Sequence, residues 1–350
     1  MIRFVTEQAE CEALWEQFSP RERAWDEWEL MSAFHDEARY RFNFMVHETD
    51  GTVDGLILLV EDTKDNSYEL FGGCYADSRE PWIAIVDFKE CFDNLPNNTA
   101  FFDLRGSWVA NVLKIFPEYE PNFVEQDMQY YLVPADFDYD FINHIHATFS
   151  KDKRKGFLRD IRKMVETYPL ESLWSDDDET EAFIELNVKN FGEESDYANE
   201  EGKQEVRRVV RELRELGYLR TFTIRIDGVI QAVSLSALYN NNWVALYSSS
   251  NNDINNLGKH LTVETIQEAC RLKVDEINYM TGMAWKAAWH MKKNPVERCA
   301  NRPPFLIYQY PEPLTGFHSL PAFPKARLRL VHGPLVSFGK TSQTSPTPVI

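Results

Sequence analysis

The sequence lacks any Cys-x-x-Cys spacing. Its five cysteines (Cys11, Cys74, Cys91, Cys270 and Cys299) are odd in number and scattered, which argues against a disulfide framework and a cysteine zinc site. No apolar run approaches the roughly 18 residues that a membrane span needs. The N-terminus, MIRFVTEQAECEALWEQF, has early acids and no long apolar stretch. A secretory signal is therefore not expected, and a reducing, cytoplasmic setting is. There is no Gly-x-Ser-x-Gly and no cysteine with a histidine nearby, so no covalent nucleophile announces itself. Positive charge is also scarce: 37 Lys and Arg stand against 56 Asp and Glu, a net charge of −19. Such a surface repels nucleic acid on average and has no general pull toward anionic membranes.

Apolar and aromatic residues are plentiful. Hydrophobic residues make up 43% of the 350-residue chain and aromatics 13%, enough for one large core or two domains. Helices are expected at Glu7–Phe18 and Arg21–Phe34. Residues 40–73 then read as strand, turn, strand, turn, strand, broken at TDGTVDG and TKDNS. Residues 219–250 repeat the pattern around Asp227-Gly228 and an Asn-rich turn. Each meander follows a helical segment, which suggests one supersecondary unit used twice. Between them, residues 141–170 and 179–191 read as helical. The segment 203–218 is the clearest helix, with Val206, Val209, Val210, Leu213 and Leu216 at three- and four-residue steps and Gly217 at its stop. The sequence EINYMTG is a short strand ended by Gly282. Nine of the 17 prolines fall after residue 300, and the last residues, GKTSQTSPTPVI, read as a disordered tail.

One junction stands out: LYSSSNNDINNLGKHLTVETIQEA, Leu246 to Ala269, passes from strand through small polar residues into a helix. Free N–H groups and the helix dipole favour an anion at such a place. Gly258 lets the backbone approach a ligand, and Asn255 or Asn256 is placed to cap the helix.

Together these segments resemble the acyl-CoA N-acyltransferase (GNAT) superfamily, and more closely its two-domain branch of FemABX-like and CelD-like proteins. The resemblance rests on SKDKRKGFLRDIRKM (150–164), on YSSSNNDINNLGKHLTVETIQEACRLKVDEINYMTG, on MTGMAWKAAW (280–289) and on ELFGGCYADSREPW (69–82). It covers roughly residues 1–300. The chain departs from the branch by having NNLGK where a Ser-Pro-Gly-like turn is common, and Met283 where an acid is common.

The resemblance implies an α/β fold with mixed sheets: tandem GNAT-like domains with a cleft between them. Residues 1–140 would be a degenerate first half, 141–300 a second half carrying the site, and 301–350 a Pro-rich extension. The implied activity is direct transfer of an acyl group from acyl-CoA (acetyl-CoA) to a small-molecule or peptide amine. Asn256, Leu257, Gly258 and Lys259 lie where the cofactor's pyrophosphate would bind. Lys286 would contact substrate or stabilise an oxyanion. Glu193, with Glu194 and Asp196 in the same acidic run FGEESDY, is the candidate base, directly or through water, and Tyr247 the proton donor to a thiolate. Trp285, Arg154 and Tyr197 are candidate substrate contacts, with Arg154 in the most basic window of the chain. No metal is expected: His144 and His146 would share a face of a strand, but their surroundings read as helical. Two other readings stay open. One is aminoacyl transfer from a charged tRNA, for which a positive surface is scarce. The other is a binding protein that has kept the fold and lost catalysis.

Overall fold

The computed structural model describes residues 1–72, 76–282 and 284–301. The Pro-rich extension, its tail and Met283 therefore lie outside the described residues. The first half runs β1 (Ile2–Val5), α1 (Gln8–Phe18), α2 (Trp28–Ser32), β2 (Tyr40–Phe42), β3 (Phe44–Thr49), β4 (Thr52–Ile57), β5 (Leu59–Asp62), β6 (Ser67–Leu70), α3 (Phe88–Asp93), β7 (Ala100–Arg105), α4 (Gly106–Ile115) and β8 (Phe123–Leu132). The second runs α5 (Phe141–Thr148), α6 (Lys151–Thr167), β9 (Leu170–Ser175), α7 (Thr180–Phe191), α8 (Glu200–Glu215), β10 (Leu219–Ile226), β11 (Val229–Tyr239), β12 (Asn242–Ser250), α9 (Leu257–Leu272), β13 (Glu276–Thr281) and β14 (Lys292–Ala300).

Both meanders form. The second is regular: β10, β11 and β12 pair antiparallel in sequence order. The first is kinked, so that its long strands break into β2/β3 and β4/β5 and are shared between two three-stranded sheets. The helix 203–218 begins at Glu200, and Val206, Val209, Val210 and Leu213 form its buried face. Gly217, at φ 77°, lets the chain leave it.

Two expected helices are corrected. Residues 21–34 form only a 3-10 turn at Ala24–Asp26 and the short α2. The Asp26 carboxylate takes the amides of Glu22 and Arg23, at 2.9 Å each. Its carbonyl accepts from the Trp15 indole at 2.8 Å and from Ser19 Oγ at 2.7 Å, so the groups a helix would use are occupied elsewhere. Segment 141–170 divides at Phe149–Ser150, where the Ser150 hydroxyl accepts from the Lys153 amide at 3.4 Å and starts α6. His144 and His146 are thus two apart on α5, on different faces.

An eight-stranded sheet runs through both halves in the order β7-β14-β8-β13-β12-β11-β10-β9. β14, from the end of the second half, lies between β7 and β8 of the first. A single apolar cluster also spans the halves. It joins Trp15, Trp28, Phe44 and Phe71 to Phe183, Val209, Val210 and Leu235. Trp15 makes edge contacts with Trp28, Phe71 and Trp82 at 5.7, 5.6 and 4.8 Å.

Candidate active site

The site begins as a gap in the sheet. β12 and β13 are parallel and pair only at Asn242–Glu276, Trp243–Ile277 and Val244–Asn278. Beyond that point β12 follows β11 as far as Ser250, opposite Ala232, while β13 follows β8 to Thr281, opposite Gln129. The two strands therefore part toward their C-terminal ends. Each carries an irregularity where they separate. The register of β12 shifts between Ala245 and Tyr247, which leaves Leu246 extra. That of β13 shifts between Asn278 and Thr281, where Met280 sits at φ 63° and its amide bonds the Asn278 side chain at 2.7 Å. Such bulges leave backbone groups unpaired and re-aim side chains. A non-glycine residue at positive φ stores strain that its surroundings must hold.

The start of α9 lies at the mouth of this gap. Asn256 takes a left-handed conformation at φ 68° and, against expectation, does not cap the helix: its Oδ1 accepts from the Lys259 ammonium at 2.8 Å. The Asn256 side chain caps none of the first-turn amides, which have no partner inside a helix, although the Leu257 amide donates to the Ile254 carbonyl at 3.3 Å. A Cβ on Gly258 would lie 3.0 Å from Ser250 Oγ, so glycine permits the close approach of helix and strand end. The loop is anchored from α7: Asn190 Nδ2 donates to the Ser250 carbonyl at 2.8 Å and Lys189 pairs with Asp253 at 2.8 Å. Lys259 is exposed. Leu257 is 0% exposed and packs with Met164, Phe222 and Leu261, so only its backbone faces the turn.

Lys286 lies at the other side of the gap, in a 3-10 turn at Ala284–Trp289, and is 5% exposed. Its Nζ donates to the carbonyls of Thr281 and Met280, at 2.6 and 3.3 Å, and lies 5.9 Å from the Tyr130 ring centre. Burial pulls its pKa down to about 8, against the opposing fields of Asp77 and Asp127. Asp77, from the first half, is 2% exposed. Burial pushes its carboxyl up to about 6, against Lys286 first and the Gln129 amide next. Asp103, also buried, is raised to about 7 by burial and by Asp77. Trp289 is buried, whereas Trp285 is 39% exposed and meets Tyr279 edge-on at 6.2 Å.

Tyr247, on the irregular part of β12, is half-buried against Phe183 at 5.5 Å and Tyr197 at 6.3 Å. Burial raises the Tyr197 phenol, and Asp196 and Glu205 raise it further. Glu193 is exposed in a 3-10 turn and does not join this group. The acids beside Tyr197 are Asp196, raised by burial, and Glu205, pushed up to about 8 by burial against Arg208 and with Glu201 and Asp196 adding to it. Arg154 is half-buried on α6. The structure thus groups the α9 turn with the ends of β12 and β13, and Tyr197 with Tyr247, while Glu193 stands apart.

Two residues escaped the sequence reading. Asp77 lies in the ELFGGCYADSREPW motif, but nothing local says that it meets a lysine far along the chain. Glu205 borders the apolar stripe of α8 and reads as an ordinary flanking acid. Among the described residues, no group of three potential ligands could hold a metal, and no helix is long and apolar enough to cross a membrane.

Residues 151–288 match the family model described as an acetyltransferase (GNAT) domain. No curated protein matches the chain. Among solved structures, it is similar to a conserved protein of unknown function from Bacteroides thetaiotaomicron. The TM-score is 0.54 at 15% identity, over 85% of this chain and 99% of that one. It is equally similar to FemX, with TM-score 0.54 at 11% identity over 86% and 98% of the two chains. L-PGS from Bacillus licheniformis follows, with TM-score 0.52 at 11% identity over 86% and 94%. These likenesses concern the fold, and the family model concerns the segment that carries the gap, the α9 turn and Lys286. Residues 151–288 are thus similar to an acetyltransferase (GNAT) domain, and the chain as a whole shares its fold with FemX and L-PGS.

Proposed function

We propose that the protein is an N-acyltransferase that moves an acyl group directly from an acyl-CoA, such as acetyl-CoA, to an amine. The observation that carries this reading is the parting of β12 and β13 with the uncapped start of α9 at its mouth. The amide-bearing arm of CoA suits the free strand edges, as an added strand would. Its pyrophosphate suits the amides around Asn256, Leu257 and Gly258, with Lys259 beside them. The second half holds the site, and the first half is a degenerate copy that closes the cleft.

In the reaction the amine nitrogen attacks the thioester carbonyl, the C–N bond forms, and the C–S bond breaks. Lys286 supplies positive charge to the oxygen that becomes negative, and burial strengthens its field. Its two carbonyl partners fix its position, and the buried charge of Asp77 favours its protonated form. The amine must shed a proton, and Glu205 with Asp196 is the acid pair beside the Tyr197–Tyr247 wall; Glu193, exposed, would act only through water. Tyr247 donates a proton to the leaving thiolate. Trp285, Tyr197 and Arg154 are the proposed substrate contacts. The test is release of free CoA thiol from acetyl-CoA and longer acyl-CoAs with a panel of amines, with acylated amine identified by mass. Thiol release dependent on amine supports the reading. Donor binding with no product for any amine would favour a binding protein.

One observation favours a second reading, aminoacyl transfer from charged tRNA. Among the described residues, Lys151, Lys153, Arg154, Lys155, Arg162 and Lys163 on α6 form no ion pair. Filter binding of bulk aminoacyl-tRNA at low salt separates the two donors.

A further inference from the structure

A cavity enclosing about 110 Å³ lies in the first half, walled by Trp15, Trp82, Phe71 and Met31. Its lining holds buried polar atoms of both kinds without partners: N–H donors on Trp25 and Arg105, and both carboxylate oxygens of Asp77. Trp25 is 4% exposed, and its indole Nε1 is buried with no acceptor. The Nε of Arg105 is buried without an acceptor as well. Arg23 also lines the cavity. Burial lowers its pKa and the neighbouring Arg105 lowers it further, although Asp26 and Glu276 oppose this. The acids of the lining are partly engaged already. The Asp26 carboxylate holds the amides of Glu22 and Arg23, and Glu80 pairs with Arg105 at 3.3 Å. Buried polar atoms left without partners cost free energy unless a ligand or water supplies one.

Asp77 lines the same cavity and is the first of the two acids acting on Lys286. The cavity is therefore lined both by these donors and by the acid that acts most strongly on Lys286.

We propose that this cavity holds the acceptor as a small amine that also bears a carboxylate, an amino-acid-like molecule. Its carboxylate sits on Arg105, Arg23 and the Trp25 indole, and its amine is directed toward Asp77. This deepens the acyltransferase reading and rests on it for the word acceptor, but binding itself needs no acyl donor. A cavity of this size has room for more than one water and suits a carboxylate on a short carbon arm. A planar carboxylate can take two donors at once, from a guanidinium or from guanidinium and indole together.

The experiment is saturation-transfer NMR on the full chain without any acyl donor. The probes are γ-aminobutyrate, butylamine with the amine alone, and butyrate with the carboxylate alone. Binding of γ-aminobutyrate and butyrate, with butylamine weaker by about tenfold or more, supports the proposal. Trp25→Phe keeps the ring and removes the N–H, and Arg105→Gln changes a part-exposed side chain. Each is expected to weaken γ-aminobutyrate binding by severalfold to about tenfold in a protein whose circular dichroism is unchanged. Equal binding of butylamine, unchanged binding by both folded variants, or no binding of any probe overturns it. Failure of acyl-CoA turnover with γ-aminobutyrate still bound would count against the transferase reading alone.

Discussion

Asp77 and Lys286, far apart in the chain, are each almost fully out of water, and each is the strongest opposite charge acting on the other. Each works against the other's burial. From the sequence, Lys286 reads as a lysine whose charge could be removed at little cost, because isolated lysine tips contribute little. The mutual field of the two buried groups changes that. Lys286→Met would leave Asp77 buried without its main counter-charge. We expect a loss of about 3 kcal/mol in urea unfolding at pH 8, and recovery of much of it in Asp77→Asn/Lys286→Met. A single variant as stable as the native chain would mean that the pair is not coupled.

The pH dependence of stability follows from the same pair. Lys286 has a folded pKa lowered to about 8 from 10.5, so the unfolded chain binds more protons between those values. Its contribution therefore rises with pH from about 8 to 10.5. Asp77 is raised to about 6 from 3.8, so the folded chain binds more protons there, and its contribution falls as pH rises from about 4 to 6. Asp77→Asn is expected to flatten the acidic slope in denaturation series from pH 4 to 7. An unchanged slope would contradict the assignment.

Glu205, pushed up to about 8, must be ionised to accept the amine's proton. Transfer is expected to rise with pH toward 8. Glu205→Gln is expected to lower the rate by about 100-fold or more and to remove that limb from the pH–rate profile. A fully active variant with the same profile would return the role to Glu193 or to water.

Trp15 is almost wholly buried, with three tryptophan or phenylalanine rings at its edges. Trp15→Ala is expected to cost about 3–5 kcal/mol in chemical denaturation. Because the cluster spans both halves, one transition is expected, so that the halves unfold together. Two separated transitions would show that they are independent.

The parts legible in the sequence are those set by local pattern. The valine stripe of α8, the Asp227-Gly228 turn and the strand-to-helix passage at Gly258 each follow from spacing and turn chemistry. The residues misread are those whose partners are distant. Residues 21–34 have helical periodicity, but Trp15 and Ser19 claim the Asp26 carbonyl and break the run. Asp77 acquires meaning only when the sheet brings Lys286 to it, and Glu205 only when the 195–197 loop folds onto α8. Glu193 looked equivalent to Asp196 in an acidic run, and burial, which a run does not encode, separates them.

The central claim is that the gap between β12 and β13, with the α9 turn, receives an acyl-CoA. The most direct measurement is calorimetric titration of the protein with acetyl-CoA, alongside Gly258→Glu, which places a bulky anion at the proposed pyrophosphate position against Ser250. Saturable binding with Kd of about 100 μM or tighter, within the ordinary range of enzyme–substrate affinities, is expected for the native chain, with loss of about tenfold or more in the variant. No heat of binding for acetyl-CoA or longer acyl-CoAs up to about 1 mM, or equal binding by a folded Gly258→Glu protein, would contradict it.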